Sequence, residues 1–198
     1  MNDMIQRLIA LLLLIIALPL FLLLILVIGC VQKRIFFCSS RLGQHKKTFV
    51  LYKFTTMNVW TEKQFQLFLE HHPCEYDSWK NERKLVKDPR TSQLGRLLRR
   101  FSLDELPQLW NVVKGDMYLV GPRPIETEED VLYGKYSDVL HSVKPGITGI
   151  WQVSGRNLIS YHRRIAMNIW YVKHRSLYLD IWVICKTFWA VIGGKGAY

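Results

Sequence analysis

The chain has 198 residues, 49% of them hydrophobic, and a net charge of +11. That length suits one domain, or one domain with an appendage, and the basic excess indicates an anionic partner: nucleic acid, a membrane surface or a phosphorylated substrate. The four cysteines show no CxxC pair and no regular spacing, which argues against a disulfide framework and favours a reduced, cytosolic body.

The first predicted element is an uncharged apolar segment, Leu8 to Val31, long enough to cross the ~30 Å core of a bilayer. A spanning helix, a signal peptide ending in the lipoprotein-like "VIGC", and a re-entrant hairpin all fit it. The segment exceeds the ~7–15 apolar residues of a signal peptide, and the basic sequence that follows it resists export. Pro19 should bend or break the helix, and basic flanks at Arg7 and Lys33 would both face the cytosol in a hairpin. These residues alone leave the hairpin and the span equally open.

A strand and two helices are predicted next. Residues 35–57 include "TFVLYKFTTM", which should form a strand paired with "RIFFC" through the turn-prone "SSRLGQHKK". Residues 58–87 have a helical pattern with a break at Pro73. His71, His72 and Cys74 lie near that break, but a metal site needs three or four converging ligands and no second cluster supplies them.

Two amphipathic segments follow. Leu94, Leu97, Leu98 and Phe101 recur at helical spacing, while Arg96, Arg99 and Arg100 carry charge. Such a helix lies on a membrane surface or simply has a solvated face. The C-terminal "DIWVICKTFWAVIGG" is too short to span a membrane. Its tryptophans suit the membrane interface, although a helix packed in the core fits the pattern equally well.

Asp104 and Glu105 are adjacent acids in "SLDE", directly after the basic helix. The motif fits a capping box, with Ser102 as the N-cap and Glu105 reaching back to it, and acids are favoured in any first helical turn. A helix N-terminus also attracts phosphate and keeps an aspartate ionised as a nucleophile. The structural and chemical interpretations are compatible.

Two further segments present arginines on turns. "GPRP", from Gly121 to Pro124, is a rigid turn that offers the Arg123 guanidinium, which can grip a phosphate through two parallel hydrogen bonds. "VKPGITGIWQVSGRN" contains several turn glycines and exposes Arg156. Neither segment is a GxGxxG motif or a P-loop.

Together, "LRRFSLDELPQLWNVVKGDMYLVGPRP", "VKPGITGIWQVSGRN", "YKFTTM" and "SLYLDIWVICKT" resemble the bacterial sugar transferases, the small monotopic phosphoglycosyl transferases. The resemblance covers nearly the whole chain from Arg7 onwards. It implies an α/β catalytic domain at residues 35–198 with surface amphipathic helices. It also implies a re-entrant membrane anchor at residues 1–34, broken at Pro19, and a location on the cytoplasmic face of the bacterial inner membrane.

The resemblance also implies a reaction. A sugar 1-phosphate passes from a UDP-sugar to undecaprenyl phosphate, releasing UMP, with Mg²⁺ and a covalent aspartyl-phosphosugar intermediate, as the first step of surface-glycan assembly. By motif match, Asp104 is the nucleophile, and Glu105 lies beside it in the metal and diphosphate site. The matching phosphate-binding candidates are Lys53, Arg99, Arg123 and Arg156. The implied partners are the two substrates, membrane lipids and downstream glycosyltransferases.

The chain departs from the family pattern at two positions. Thr55 stands where the family usually has arginine, and Asn168 stands where it usually has aspartate. These changes leave a second hypothesis open: a non-catalytic homologue that binds polyprenyl phosphate or partner glycosyltransferases. A nucleic-acid binder would explain only the charge, because it leaves the apolar segment unexplained and no nucleic-acid motif is visible. The residues do not predict which sugar is transferred.

Overall fold

The computed structural model describes residues 2–82, 85, 88–155 and 158–193. Its helices are α1 (Asp3–Ile16), α2 (Leu18–Val31), α3 (Glu62–His71), α4 (Pro73–Glu82), α5 (Gln93–Arg100), α6 (Gln108–Lys114), α7 (Ser137–Leu140), α8 (Ile150–Ser154), α9 (Tyr161–His174) and α10 (Leu177–Gly193). Its strands are β1 (Phe36–Leu42), β2 (Thr48–Phe54), β3 (Tyr118–Val120) and β4 (Gly146–Thr148), and short 3₁₀ turns cover Gln44–Lys46, Leu103–Glu105 and Thr127–Tyr136. The described chain is therefore a mixed α/β protein, as the sequence predicts.

The N-terminal helices α1 and α2 form a pair bent by 62°. The predicted break at Pro19 is wrong in position, because the turn lies at Ala17 and Pro19 is in the first turn of α2. Proline is tolerated there because the first N–H groups of a helix have no intrahelical partner. Within the described residues no single helix is long and apolar enough to cross a membrane, but the bent pair meets the length and composition requirements together.

The predicted hairpin of β1 and β2 is confirmed. The strands are antiparallel, from Phe36 opposite Phe54 to Leu42 opposite Thr48. β1 is longer than expected, however, and runs through half of the segment predicted as a turn. Because Arg41 and Leu42 are buried against other elements, burial extends this strand beyond what its local residue preferences indicate.

β3 and β4 pair in parallel, with Tyr118 beside Gly146 and Val120 beside Thr148. The chain can follow this path only because two glycines meet behind the strands. A Cβ atom added to Gly146 would lie 2.0 Å from the backbone nitrogen of Gly121. This close approach holds the loop after β3 against β4 and thereby places "GPRP".

The main core lies between α1, β2, α6 and the β3–β4 pair, and it includes Ala10, Leu51 and Val112. Asn111 on α6 is fully buried there. Its Nδ2 donates to the Val50 carbonyl at 2.7 Å, and its Oδ1 accepts from the Tyr52 backbone N–H at 3.2 Å. α6 is therefore fixed to β2, and the residues just before α6 lie beside the end of that strand.

The helices predicted on either side of Pro73 and at the C-terminus are present. α3 and α4 lie on either side of the predicted break at Pro73 and share a small aromatic core with Phe65 and Trp79. α10 buries Val183 but leaves Trp182 and Trp189 exposed. That exposure favours the membrane-interface interpretation of α10 over the core-helix one.

Candidate active site

The acidic pair lies on a 3₁₀ turn between α5 and α6. Ser102 adopts the left-handed conformation (φ 53°, ψ 23°) and makes no side-chain capping bond, so the predicted capping box is wrong. The physical reason is Pro107, which has no N–H to continue a helix from the carbonyl of Leu103. α6 begins only at Gln108.

Glu105 pairs with a cation from another element instead of capping a helix. Its carboxylate accepts a hydrogen bond from Lys53 Nζ at 2.9 Å. Lys53 lies near the end of β2, which α6 holds in place through Asn111. Both side chains are partly exposed, so water weakens the attraction, and the pair is worth up to about 1 kcal/mol. Its main effect is to fix the two groups beside Asp104.

Asp104 is 8% exposed. Burial raises the pKa of its carboxyl, and the adjacent Glu105 carboxylate raises it further, whereas Lys53 and Arg99 lower it. The balance is an upward shift, because the cost of removing a charge from water exceeds the attraction of the neighbouring cations. An upward-shifted buried carboxyl in a cleft is a frequent feature of active sites.

Arg99 approaches the same carboxyl from the end of α5. Its Nε donates to Thr56 Oγ1 at 3.0 Å, and burial lowers its pKa while Asp104 raises it. Part of the charge that the sequence assigns to a basic helix face is therefore turned inward. The hydrogen bond to Thr56 orients the guanidinium along the wall of the cleft.

These groups line one cleft of about 2140 Å³. Its basic lining residues are Arg34, Arg41, Lys53, Arg90, Arg96, Arg99, Arg100 and Arg123, and its acidic ones are Asp88, Asp104 and Glu105. The cleft also reaches Leu13, Ile16 and Ala17, at the bend between α1 and α2. A large, basic cavity that is apolar at one end suits a ligand with phosphate groups and a lipid portion.

The structure brings most of the predicted site residues together. Arg123, on the loop after β3, lines the cleft with its guanidinium 5.9 Å from the centre of the Trp151 ring. Asp104, Glu105, Lys53 and Arg99 line the same cavity. Arg156 lies outside the described residues.

The two departures from the family pattern occupy different environments. Thr55 lines the cleft, and its buried Oγ1 has no hydrogen-bond partner within the described residues. Asn168 is buried on α9, where its Nδ2 donates to Tyr133 Oη at 2.9 Å. The residues that line the cleft do not include Asn168, so the structure gives Thr55 the more direct connection to the site.

Among the cleft residues that sequence reasoning missed are Arg41 and Thr56. Arg41 lies in a segment predicted as a turn, but in the structure it is the last residue but one of β1. Its side chain is 10% exposed and forms an ion pair with Glu126. Thr56 gave no signal of its own, because its role depends on the position of Arg99.

Comparison with known proteins then decides the family. A family model described as "Bacterial sugar transferase" matches residues 1–194. The chain belongs to the bacterial sugar transferases. The resemblance noted in the sequence is thereby confirmed, and the chain is an enzyme of the phosphoglycosyl transferase class.

Several curated relatives are similar over most of this sugar transferase. The exopolysaccharide production protein ExoY of Sinorhizobium fredii is 42% identical over 195 residues, which are 96% of this chain and 85% of that protein. The undecaprenyl-phosphate galactose phosphotransferase of Salmonella typhimurium is 45% identical over 80% of this chain. The UDP-glucose:undecaprenyl-phosphate glucose-1-phosphate transferase of Xanthomonas campestris is 37% identical over 83% of it. The chain spans only 33% of the length of each of these last two relatives.

Proposed function

We propose that this sugar transferase moves a sugar 1-phosphate from a UDP-sugar to undecaprenyl phosphate, releasing UMP, and so begins the assembly of a surface glycan. The observation that carries the proposal is the buried Asp104 beside the Glu105–Lys53 pair, in a basic cleft that reaches the apolar N-terminal helices. The names of the Salmonella and Xanthomonas relatives support both the carrier and the transferred group.

Asp104 is the proposed nucleophile. One of its carboxylate oxygens attacks the phosphorus that bears the sugar, and the bond from that phosphorus to the bridging oxygen breaks. UMP departs with the electron pair, leaving the sugar phosphate bonded to Asp104. An oxygen of undecaprenyl phosphate then attacks the same phosphorus and frees the carboxylate.

The surrounding cations offset negative charge during both steps. A carboxylate that approaches a diphosphate meets strong repulsion, and positioned arginines and lysines reduce it. Arg99 and Arg123 lie on the cleft wall, and we assign phosphate contacts to both. Lys53 holds Glu105 and also favours the ionised form of Asp104.

The acidic pair also fits a magnesium ion. Within the described stretches no cluster of three or more His, Cys, Asp or Glu side chains is arranged to hold a metal. Mg²⁺ does not need one, because it usually binds through one or two carboxylates together with substrate phosphates and water. We propose that Asp104 and Glu105 hold it. When bound, it would supply positive charge to the diphosphate.

The proposed setting is the cytoplasmic side of the bacterial inner membrane. The apolar α1–α2 pair would enter the lipid as a re-entrant anchor, with its basic flanks facing the cytosol. Exposed apolar residues on α10, including Phe188 and Trp189, would lie against the membrane surface. This arrangement would let the lipid carrier enter the apolar end of the cleft while the UDP-sugar enters from water.

The test is UMP release from a panel of UDP-sugars by the detergent-solubilised protein, with undecaprenyl phosphate and Mg²⁺ present. Release with one UDP-sugar establishes the reaction and identifies the sugar. The Thr55 hydroxyl, which has no hydrogen-bond partner within the described part of the chain, favours one alternative, a non-catalytic homologue that binds the carrier lipid. The absence of UMP release with every UDP-sugar, while an active family member run in parallel releases UMP, would support that alternative. Thr55→Arg would then be expected to restore turnover.

A further inference from the structure

Arg41 is a buried cation whose hydrogen bonds are incomplete. Its side chain is 10% exposed and ion-paired with Glu126, which is itself half exposed. That ion pair is made through Nη1, whereas Nε makes no hydrogen bond within the described residues. A buried donor without an acceptor destabilises a protein, and more so when the group is charged. A buried donor of this kind therefore indicates that an acceptor, such as a bound ligand, is absent from the structure.

The surroundings of Arg41 make an anion the natural acceptor. Arg41 lines the same cleft as Arg123 and Asp104. Burial, followed by repulsion from Arg123, lowers its pKa to about 10 against the smaller opposing attraction of Glu129 and Glu128, so the guanidinium remains charged at neutral pH. Two guanidinium groups that face one cavity repel each other until an anion lies between them.

We propose that Arg41 binds a phosphate group of a substrate, and that Glu126 is a competing carboxylate that occupies Arg41 until the phosphate arrives. The inference rests on the proposed function and adds to it a phosphate-binding residue and its competitor. Glu126 is well placed to exchange with a ligand because its exposed carboxylate returns to water at little cost.

The proposal predicts opposite effects on ligand binding for the two members of the ion pair. Arg41→Gln should weaken the binding of the phosphate that Arg41 contacts by roughly tenfold or more, the loss expected for a charged hydrogen bond. Glu126→Gln keeps the shape but removes the competing charge, so it should bind the same ligand more tightly than the wild type. A structural ion pair would lose thermal stability in both variants and leave ligand affinity unchanged.

The phosphate that Arg41 contacts could belong to the nucleotide sugar or to the lipid carrier, so the two ligands are measured separately. The nucleotide arm of the experiment is the Kd for UDP from calorimetry. The lipid arm is the KM for undecaprenyl phosphate at saturating UDP-sugar. Thermal unfolding of each variant detects loss of fold, and Arg41→Lys, which keeps the charge, replaces Arg41→Gln if that variant unfolds. Arg163→Gln, an exposed position outside the cleft lining, is the matched control for net charge and should bind both ligands normally.

Opposite shifts for Arg41→Gln and Glu126→Gln in either arm support the proposal and identify the phosphate. Arg123→Gln distinguishes failure of the Arg41 assignment from failure of the proposed function. If Arg123→Gln weakens UDP binding while neither Arg41 variant changes either arm, the assignment of Arg41 is overturned and the proposed function stands. If the wild type binds no UDP, both are overturned.

Discussion

At the scale of single residues, the site depends on the position of one carboxyl group. Asp104 is buried next to another acid, which disfavours its ionised form. Attraction to Lys53 and Arg99 offsets only part of this effect. Ser102 holds a left-handed backbone just before it, a conformation that costs a non-glycine residue about 1–2 kcal/mol. Strain and unfavourable burial at one point are expected where catalysis is selected over stability.

The raised pKa of Asp104 predicts how stability responds to its replacement. A carboxyl that binds protons more tightly when folded lowers stability as the pH rises from its unfolded pKa, near 3.8, through its folded pKa. We therefore expect Asp104→Asn, which cannot ionise, to have a higher Tm than the wild type at neutral pH. The difference should shrink as the pH falls towards 3.8.

Thermal unfolding in detergent at a series of pH values measures this effect. Asp138→Asn is the control, because it replaces a carboxylate whose side chain is 91% exposed. A lower Tm for Asp104→Asn at neutral pH would show that the ionised carboxylate stabilises the fold.

At the scale of elements, the site is assembled by contacts between segments that are distant in sequence. Asn111 fixes α6 to β2 and so brings Lys53 to Glu105. The loop that carries Arg123 follows β3, and its path is set by the close approach of Gly121 and Gly146. The precision of the site therefore depends on residues that touch no substrate.

Gly146→Ala tests this dependence. The added Cβ would lie 2.0 Å from the backbone nitrogen of Gly121, and neither backbone can move aside as a flexible side chain would. We expect a loss of stability of about 3 kcal/mol or more, read as a lower Tm. Gly193→Ala, whose Cβ would meet nothing within 4 Å, is the control; equal Tm values for both variants would contradict the packing described.

The elements also show what local sequence patterns can predict. The hairpin followed from β-branched and aromatic residues on either side of a turn-prone segment, and the helices around Pro73 followed from periodicity and a chain-breaking residue. The patterns missed the length of β1, because Arg41 and Leu42 are held by long-range burial. They also missed the 3₁₀ turn at Asp104, because "SLDE" satisfies a capping rule that Pro107 overrides.

The candidate site was predictable to a similar extent. Motif resemblance indicated six residues. The structure places Asp104, Glu105, Lys53, Arg99 and Arg123 on one cleft, and Arg156 lies outside the described residues. Arg41 and Thr56 could not be predicted, since each is defined by a partner far along the chain: Glu126 for the first and Arg99 for the second.

At the scale of the whole molecule, the cleft joins a polar body to an apolar helix pair. Pocket residues run from the bend between α1 and α2 to the basic wall around Asp104. A protein built in this way can present a water-soluble nucleotide and a membrane lipid to the same carboxylate.

The re-entrant arrangement predicts a particular topology. In a hairpin, both ends of the α1–α2 pair face the cytosol, because basic residues flank both sides. Two variants each keep a single thiol, one at Asn2→Cys with all four native cysteines replaced and one at the native, exposed Cys74 with the other three replaced. Neither thiol should react with a membrane-impermeant maleimide in intact cells. Both should react after lysis. Labelling of Asn2→Cys alone in intact cells would instead establish a full span.

The role of Asp104 is tested most directly by comparing UMP release by Asp104→Asn with that of the wild type, using the UDP-sugar that the wild type accepts. The variant keeps the shape of the side chain but removes the carboxylate that is the proposed nucleophile and one of the two proposed Mg²⁺ ligands. We expect UMP release to fall to background while UDP still binds. Turnover by Asp104→Asn at the wild-type rate would contradict this role, because the phosphosugar could not then have been carried by that carboxylate.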